Sequence, residues 1–438
     1  MTPDSRQSVI VLGAGPAGLT GAYRLSLGGL RVTVLTPSAR IGEHVRRESD
    51  PPANILGCHQ ATWTLLRALG VRPAQPAFAE TQLEFLLPGG RVVRYPKTRF
   101  PTPLRQLLTI GRFSGLRAGE RWRLLTWLEQ LWEGSLELPV DLEQRTAESW
   151  LNSLSHGPSS RQTIWAPLAR WLTGNDLTQL SADAFVMALQ PFFLSQAADS
   201  RLWVPGRAWD RTFVQPVTEA LVKAQASLCV GMRAVRFEYE DDRVIGIRVN
   251  DGSRLQADWY IAALPPHDLT ALLPERWLSR YAYFQQLVDL ETLFYSVIQV
   301  RTAEPITNPR HILMSAGPFN WIACKPSQVD RGLVATVTMP ADEPVTESIQ
   351  RVSALLRSLD LLRPDRQITG FRQEERAYAW LALRPGTKVR RPLQRSPISN
   401  LLLAGAWTDT GWPANLESAI VSGERCAEIV LHHRRLPQ

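Results

Sequence analysis

Val9 to Thr36 constrains this chain more than any other stretch. Val9-Ile-Val-Leu12 is apolar and largely β-branched, as a strand buried on both faces requires. Gly13, Gly15 and Gly18 follow at once in the G-x-G-x-x-G spacing, with Pro16 and Ala17 inside it. At such a junction the first glycine allows the tight turn and the second lets backbone approach a pyrophosphate. The third lets the helix pack close to the strand. Ala22 keeps that contact small, and Gly28-Gly29 stop the helix near Leu27. Val32-Thr-Val-Leu35 reads as the second strand, ending at Thr36. Strand, glycine triplet, helix and strand make the βαβ unit that seats a dinucleotide on a helix N-terminus. A glycine-rich turn without a ligand is the plainer alternative.

With 438 residues the chain is long for a single core, and two or three domains are expected. Hydrophobic content of 44% and charged content of 21% describe a folded globular protein. Cys58, Cys229, Cys324 and Cys426 are far apart with no C-x-x-C, so they read as reduced thiols, neither disulfide frame nor metal site. The start, Met1-Thr-Pro-Asp-Ser5, is polar and carries no signal-peptide pattern. No apolar run approaches the ~18 residues of a spanning helix. A cytoplasmic protein is therefore expected, with contact to the inner face of the membrane as an option. The net charge of +8 points to nucleic acid or an anionic membrane. No nucleic-acid module is visible, so a membrane surface is the expected partner.

Further along, Arg40 opens a basic loop, Ala61 to Gly70 reads as a helix, and Leu83 to Val93 as a hairpin around Pro88-Gly89-Gly90. In Lys97 to Arg117, Phe100, Leu104, Leu107, Leu108, Ile110, Phe113 and Leu116 alternate with five cations and no acid. Such a segment suits a bilayer interface; a helix pair over the substrate core is the equal alternative. Glu120 to Trp132 is predicted as a helix with Trp122, Leu125, Leu128 and Trp132 on one side. Thr146 caps another through Leu154, and helical segments continue at 165–172 and 181–189. Strand character returns from Ser227 to Ile261, with hairpin turns at Asp241-Asp242 and Asn250-Asp251-Gly252. Strands near Phe294 to Val300 and Leu333 to Met339 and a helix over Thr346 to Leu359 follow.

The C-terminal stretch is the second chemical element. Asn400-Leu-Leu-Leu-Ala-Gly405 reads as a buried strand, Ala406 to Asn415 as a turn, and Leu416 to Leu431 as a helix, its first turn expected near Pro413. The free N–H groups and positive dipole end of that turn would attract an anion. Taken alone, it also reads as an ordinary turn with two packed tryptophans, Trp407 and Trp412.

The N-terminal G-x-G-x-x-G unit, the Ala-Ala-Leu-Pro-Pro at 262–266, and Leu-Ala-Gly-x-Trp-Thr-x-Thr-Gly-x-Pro-Ala-x-x-Glu-x-Ala-x-x-Ser-Gly at 403–423 resemble the FAD-dependent amine oxidase and phytoene desaturase superfamily. Within it the pattern is most similar to the hydroxysqualene dehydroxylase group. Phe100-Pro-Thr-Pro-Leu104, Gly115-Leu116, Trp165-x-Pro167-Leu168 and Ser181-Ala182 carry the likeness through the middle of the chain.

The resemblance implies an α/β fold: a Rossmann-like FAD-binding domain built from discontinuous segments, plus a mixed α+β substrate domain with a largely helical insertion. Residues 1–75, 206–270 and 385–438 would form the first, and 76–205 and 271–384 the second. It further implies that Gly13, Gly15 and Gly18 hold the pyrophosphate and that Ala234 meets adenine through its backbone. Gly405, Trp407 and the Pro413–Leu416 turn would lie against the ribityl chain and isoalloxazine, whose reduced form suits a helix N-terminus. Pro16, Ala17, Thr36, Arg40, Ala263, Ala406, Ala414, Asn415 and Leu416 complete the implied FAD set. The implied reaction is hydride exchange at flavin N5 with a long apolar isoprenoid.

The chain departs from the pattern at four places. Thr36 stands where an acid usually holds the ribose, and Gly42-Glu43-His44 replaces Gly-Gly-Arg. Ala406 replaces the aspartate of a Gly-Asp, and Ser49-Asp-Pro-Pro-Ala53 replaces an Asn-Gly-Gln-His stretch. These keep two other readings open. One is an NADP-dependent reductase, since Thr36 and Arg40 would tolerate a 2′-phosphate; the other is a scaffold or lipid-binding homologue without a working flavin. No Ser-His-Asp set, metal cluster or carboxylate pair competes for the chemistry. His59 and His267 read as structural or surface groups, and Glu417, one turn into the last helix, as polar wiring or a dipole partner rather than a catalytic group.

Overall fold

The computed structural model describes residues 6–42, 55–72, 77–95, 104–133, 140–193, 199–206, 208–306, 308–327, 332–340 and 348–435. The loop from Glu43 through Ala53 and the segment from Lys97 to Thr102 lie outside them.

Five parallel strands form the first sheet, in the spatial order Leu401–Leu403, Trp259–Ala262, Ser8–Leu12, Arg31–Thr36, Ser227–Val230. The strand at Ser8–Leu12 is buried along its whole length, as its unbroken apolar run requires. The helix Pro16–Leu27 crosses over from it to the strand at Arg31–Thr36. The last helix, Leu416–Arg435, packs on that first helix. Their backbones meet at Gly21 and Gly423, where a Cβ on Gly423 would strike the Ala17 carbonyl. An antiparallel meander of Ala234–Glu240, Arg243–Val249 and Arg254–Leu255 hangs from the sheet's edge.

The second large sheet has seven strands, in the order 368–381, 292–305, 332–340, 321–326, 310–314, 83–86, 92–94. The predicted hairpin is its far edge, Leu83–Leu86 running antiparallel to Val92–Arg94. One face carries Ile298, Val300, Ile312 and Ile322 and packs on Val352 and Leu356 of the helix Ser348–Ser358. The opposite face carries Leu83, Phe85, Leu313 and Trp321 and packs under helices bearing Trp150, Leu168 and Phe185.

Two expectations for the helical block need correction. In the helix Ala118–Glu133 Leu124 and Trp127 are buried among the described side chains, while Trp122 is 71% exposed. The apolar positions there are too many for one stripe, and neighbouring helices select which are covered. In the basic segment, Ile110, Phe113 and Leu116 are buried in the same core. Phe113 packs edge-on against Phe85 with ring centroids 5.5 Å apart. These three therefore serve the core rather than a bilayer.

Candidate functional site

In the five-stranded sheet all strands point the same way, so their carboxyl ends share one edge. In open α/β sheets that edge is where ligands sit. Gly13, Ala263 and Gly405 each lie just beyond a strand end there. Gly13 holds φ at +108° and is pressed so close to the Ala263 carbonyl that no side chain fits. Gly18 is equally tight against the Gly13 carbonyl. Gly15 is different: a Cβ on it would meet nothing within 4 Å. It is the N-cap of the first helix, makes no side-chain cap, and is followed by Pro16 and Ala17. The middle glycine thus opens on free space at a helix N-terminus, which is the cradle a pyrophosphate needs.

Thr36 is buried at the next strand end, where its hydroxyl accepts the Ser38 N–H at 3.3 Å. Its carbonyl accepts the Met232 N–H, and the Ser38 carbonyl accepts that of Gly231, both at 2.9 Å. These bonds bring the turn before Ala234 to the same edge. Arg40 is exposed four residues on. Thr36 can donate one hydrogen bond, whereas an acid would accept from both ribose hydroxyls.

The C-terminal junction is braced by groups whose role no sequence pattern marks. Arg391 is 6% exposed, and its guanidinium donates to the carbonyls of Trp412 at 2.8 Å, Ala406 at 3.1 Å, Trp407 at 3.3 Å and Thr408 at 2.6 Å. Burial lowers its pKa to about 10, so it remains a cation at neutral pH. Arg425 donates to the carbonyls of Asp409 and Thr410, each at 3.0 Å. Gly405, at φ +151°, leaves room only for the Trp407 indole, whose Nε1 donates to the Leu264 carbonyl at 3.0 Å. The helix starts at Leu416 rather than near Pro413. Asn415 is its cap, its Oδ1 accepting the Ser418 N–H at 3.0 Å. Ala406, Ala414 and Leu416 are half-buried around this turn.

Glu417, in the first turn of the last helix, caps the helix Gln60–Ala68. Its carboxylate accepts the N–H groups of Ala61 at 2.8 Å and Thr62 at 2.9 Å, and also the Thr62 hydroxyl. Burial raises its pKa although those donors pull it back. His59 is buried beside it, lowered by burial to about 3 and hence neutral, with its ring edge-on to Trp412 at 5.6 Å. His267 lies at the surface beside Asp268. All four cysteines are free.

A small apolar cavity lies between the second sheet and the helical block. Leu83, Phe85, Phe113, Ile164, Trp165 and Leu168 are among its walls, which hold no charged side chain.

The sequence profile described as flavin containing amine oxidoreductase matches residues 16–431. The chain belongs to that family. It is an FAD-dependent oxidoreductase of α/β, Rossmann-like fold, and neither a bare NADP reductase nor a scaffold is needed to account for it. A probable zeta-carotene desaturase of Synechococcus elongatus is 25% identical over 97% of this chain and 98% of its own length. The 15-cis-phytoene desaturase of Solanum lycopersicum is 23% identical over 99% of this chain and 79% of its own. Putrescine oxidase bound to putrescine shares the fold at a TM-score of 0.71 and 17% identity, covering 98% of this chain and all of that one.

The carboxyl-edge groups fit FAD. Gly15 with the N–H groups of the first helical turn would hold the pyrophosphate. The Gly405–Trp407 bend and the Leu416 turn would border the ring. The resemblance implies a carboxylate at the position of Ala406, one that would bond the ribityl hydroxyls. Ala406→Asp is expected to tighten FAD by about tenfold, the worth of one hydrogen bond to a charged group, in a calorimetric titration. Unchanged or weaker binding would show that Ala406 does not face the ribityl chain.

Proposed function

We propose that this flavoprotein exchanges a hydride equivalent with a long apolar isoprenoid, in the manner of a hydroxysqualene dehydroxylase. The observation that carries this reading is the uncharged cavity under the helical block. The chemistry of such walls suits a hydrocarbon, and an ammonium group would lack a charged partner there. The named relatives, desaturases of phytoene and zeta-carotene, support the same substrate class. FAD, when bound, supplies the two-electron chemistry. The chain's own residues orient and exclude: Phe85, Phe113 and Trp165 keep water from the substrate, and Arg391 holds the flavin-side bend in shape. The test incubates the FAD-loaded protein with hydroxysqualene plus a reductant, and separately with phytoene plus a quinone, and reads products by mass spectrometry. Conversion of hydroxysqualene to squalene is the expected result. Conversion of phytoene alone would retain the isoprenoid class and overturn the dehydroxylase assignment. Turnover of neither, with an amine oxidised instead, would overturn the reading as a whole.

Such a substrate is collected from a bilayer, and among the described residues no helix is long and apolar enough to cross one. A peripheral contact is therefore proposed. With Ile110, Phe113 and Leu116 buried, the contact moves to the outer side, where Trp122 is exposed among Arg112, Arg117, Arg121 and Arg123. Each cation near an anionic surface contributes about 1 kcal/mol, and that share fades as salt shortens the Debye length. Sedimentation with anionic liposomes is expected at low salt, with part surviving high salt. Trp122→Ser should remove the surviving part. Binding by that variant equal to the parent's would place the contact elsewhere.

A further inference from the structure

His59 stands immediately before the helix Gln60–Ala68 and is held from three sides. Its backbone N–H donates to the Leu56 carbonyl at 3.0 Å. Its Nδ1 accepts the Leu56 N–H at 3.3 Å. Its ring meets edge-on that of Trp412, in the bend that would border the isoalloxazine. Two residues on, Glu417 fastens the first turn of that helix to the start of the last one through the Ala61 and Thr62 N–H groups. The Trp412 carbonyl is held in turn by Arg391. The imidazole is therefore a fixed part of the flavin-side junction.

The bond to Leu56 also decides where the ring proton sits. An imidazole nitrogen that accepts carries no hydrogen, and burial keeps His59 neutral, so its one proton is on Nε2. Nε2 has no partner among the described residues. The residue is 5% exposed, yet Nε2 is not among the buried atoms sealed off without a partner, so this N–H reaches open space. A donor held almost wholly out of water and left unpaired is costly, and such a group persists where a ligand completes its bond. A reduced flavin is more electron-rich than an oxidised one, so its ring accepts a hydrogen bond more strongly. We propose that His59 Nε2–H donates to the polar edge of the bound isoalloxazine and raises the reduction potential of the flavin. This role rests on the FAD site alone and holds for any substrate. It adds a neutral donor from the N-terminal part of the chain to a ring otherwise bordered by the C-terminal junction.

The experiment equilibrates the FAD-loaded protein with a redox dye of known potential and reads the reduced fraction from the visible absorbance. His59→Asn keeps an acceptor where Nδ1 stands and leaves nothing where Nε2 stands. His59→Gln does the opposite, placing an amide where Nε2 stands. With the donor gone, the Asn variant is expected to show a ratio of reduced to oxidised flavin about tenfold lower at a given potential, the worth of one hydrogen bond to a charged acceptor. For a two-electron couple that is a drop of about 30 mV. The Gln variant is expected to recover most of the drop and to melt below the Asn variant, because it has lost the bond to Leu56. Should the Asn variant fail to fold, His59→Phe keeps a ring against Trp412 without the nitrogens, and the same drop is expected of it. A parental potential in the Asn variant would show that the imidazole serves Leu56 alone and would overturn the proposal. Equal drops in the Asn and Gln variants would trace the effect to lost ring packing and overturn it as well. A parent that takes up no FAD would sink the flavoprotein reading and this role with it, whereas failure to turn over an isoprenoid would leave the role standing.

Discussion

Gly15→Val abolishes FAD binding while the protein stays folded: that is the expected result with the largest effect. Of the three glycines in the first turn, Gly13 and Gly18 are locked by contacts that any Cβ would violate, whereas Gly15 borders open space. Its backbone is extended and needs no glycine, with φ at −81°. The free protein therefore tolerates a side chain there at a cost of a few tenths of a kcal/mol to ~1 kcal/mol, as for a lost glycine cap. The isopropyl group would instead fill the cradle and keep backbone from the pyrophosphate. Affinity should fall by at least a hundredfold in an FAD titration, with an unchanged circular dichroism spectrum. Gly18→Val, by contrast, should compromise folding, since its Cβ has no room against the Gly13 carbonyl. A Gly15 variant that binds FAD like the parent would mean that the dinucleotide does not cross this turn.

Arg391→Met is the second. The guanidinium serves four carbonyls between Ala406 and Trp412 from a buried position. A thioether of similar length fills the space and donates nothing, so these carbonyls lose their partner at about 1–3 kcal/mol for each one left dry. Relaxation and water entry recover part of this, and a net loss of about 3–5 kcal/mol is expected. The urea midpoint should drop accordingly. FAD affinity should fall with it, because the arginine holds the bend that would border the ring. Arg391→Lys should recover only a fraction, since a point-like ammonium cannot span a planar fork's partners. An Arg391→Met protein with parental midpoint and affinity would show that the bend holds itself.

The two ends of the cofactor domain were legible in the sequence because their signals are local. The strand Ser8–Leu12, the glycine turn and the helix Pro16–Leu27 are neighbours in the chain. Strand Leu401–Leu403 and helix Leu416–Arg435 likewise announce themselves by an apolar run and helical spacing. What stayed hidden depends on partners far along the chain. Glu417 caps a helix that lies 355 residues away, a pairing that no spacing rule contains. Arg391 looks like one of many surface arginines until the carbonyls around it are seen. Pro413 is a reasonable first helical residue, but Asn415 accepts the Ser418 N–H and sets the start three residues later. Trp122 and Trp127 are equally apolar in a list of letters, and the neighbouring helices decide that Trp127 is covered and Trp122 is not. The same holds for Ile110 and Phe113, whose amphipathic pattern suits either a membrane or a core until the cavity wall claims them.

The measurement that tests the account most directly is the visible absorbance of the purified protein, before and after titration with FAD. A carboxyl-edge site built by Gly15, the Gly405–Trp407 bend and the Leu416 turn should give flavin bands on isolation. Failing that, it should acquire them saturably, with one FAD per chain and with no such gain in Gly15→Val. A colourless protein that takes up no FAD at any concentration would contradict the account at its centre.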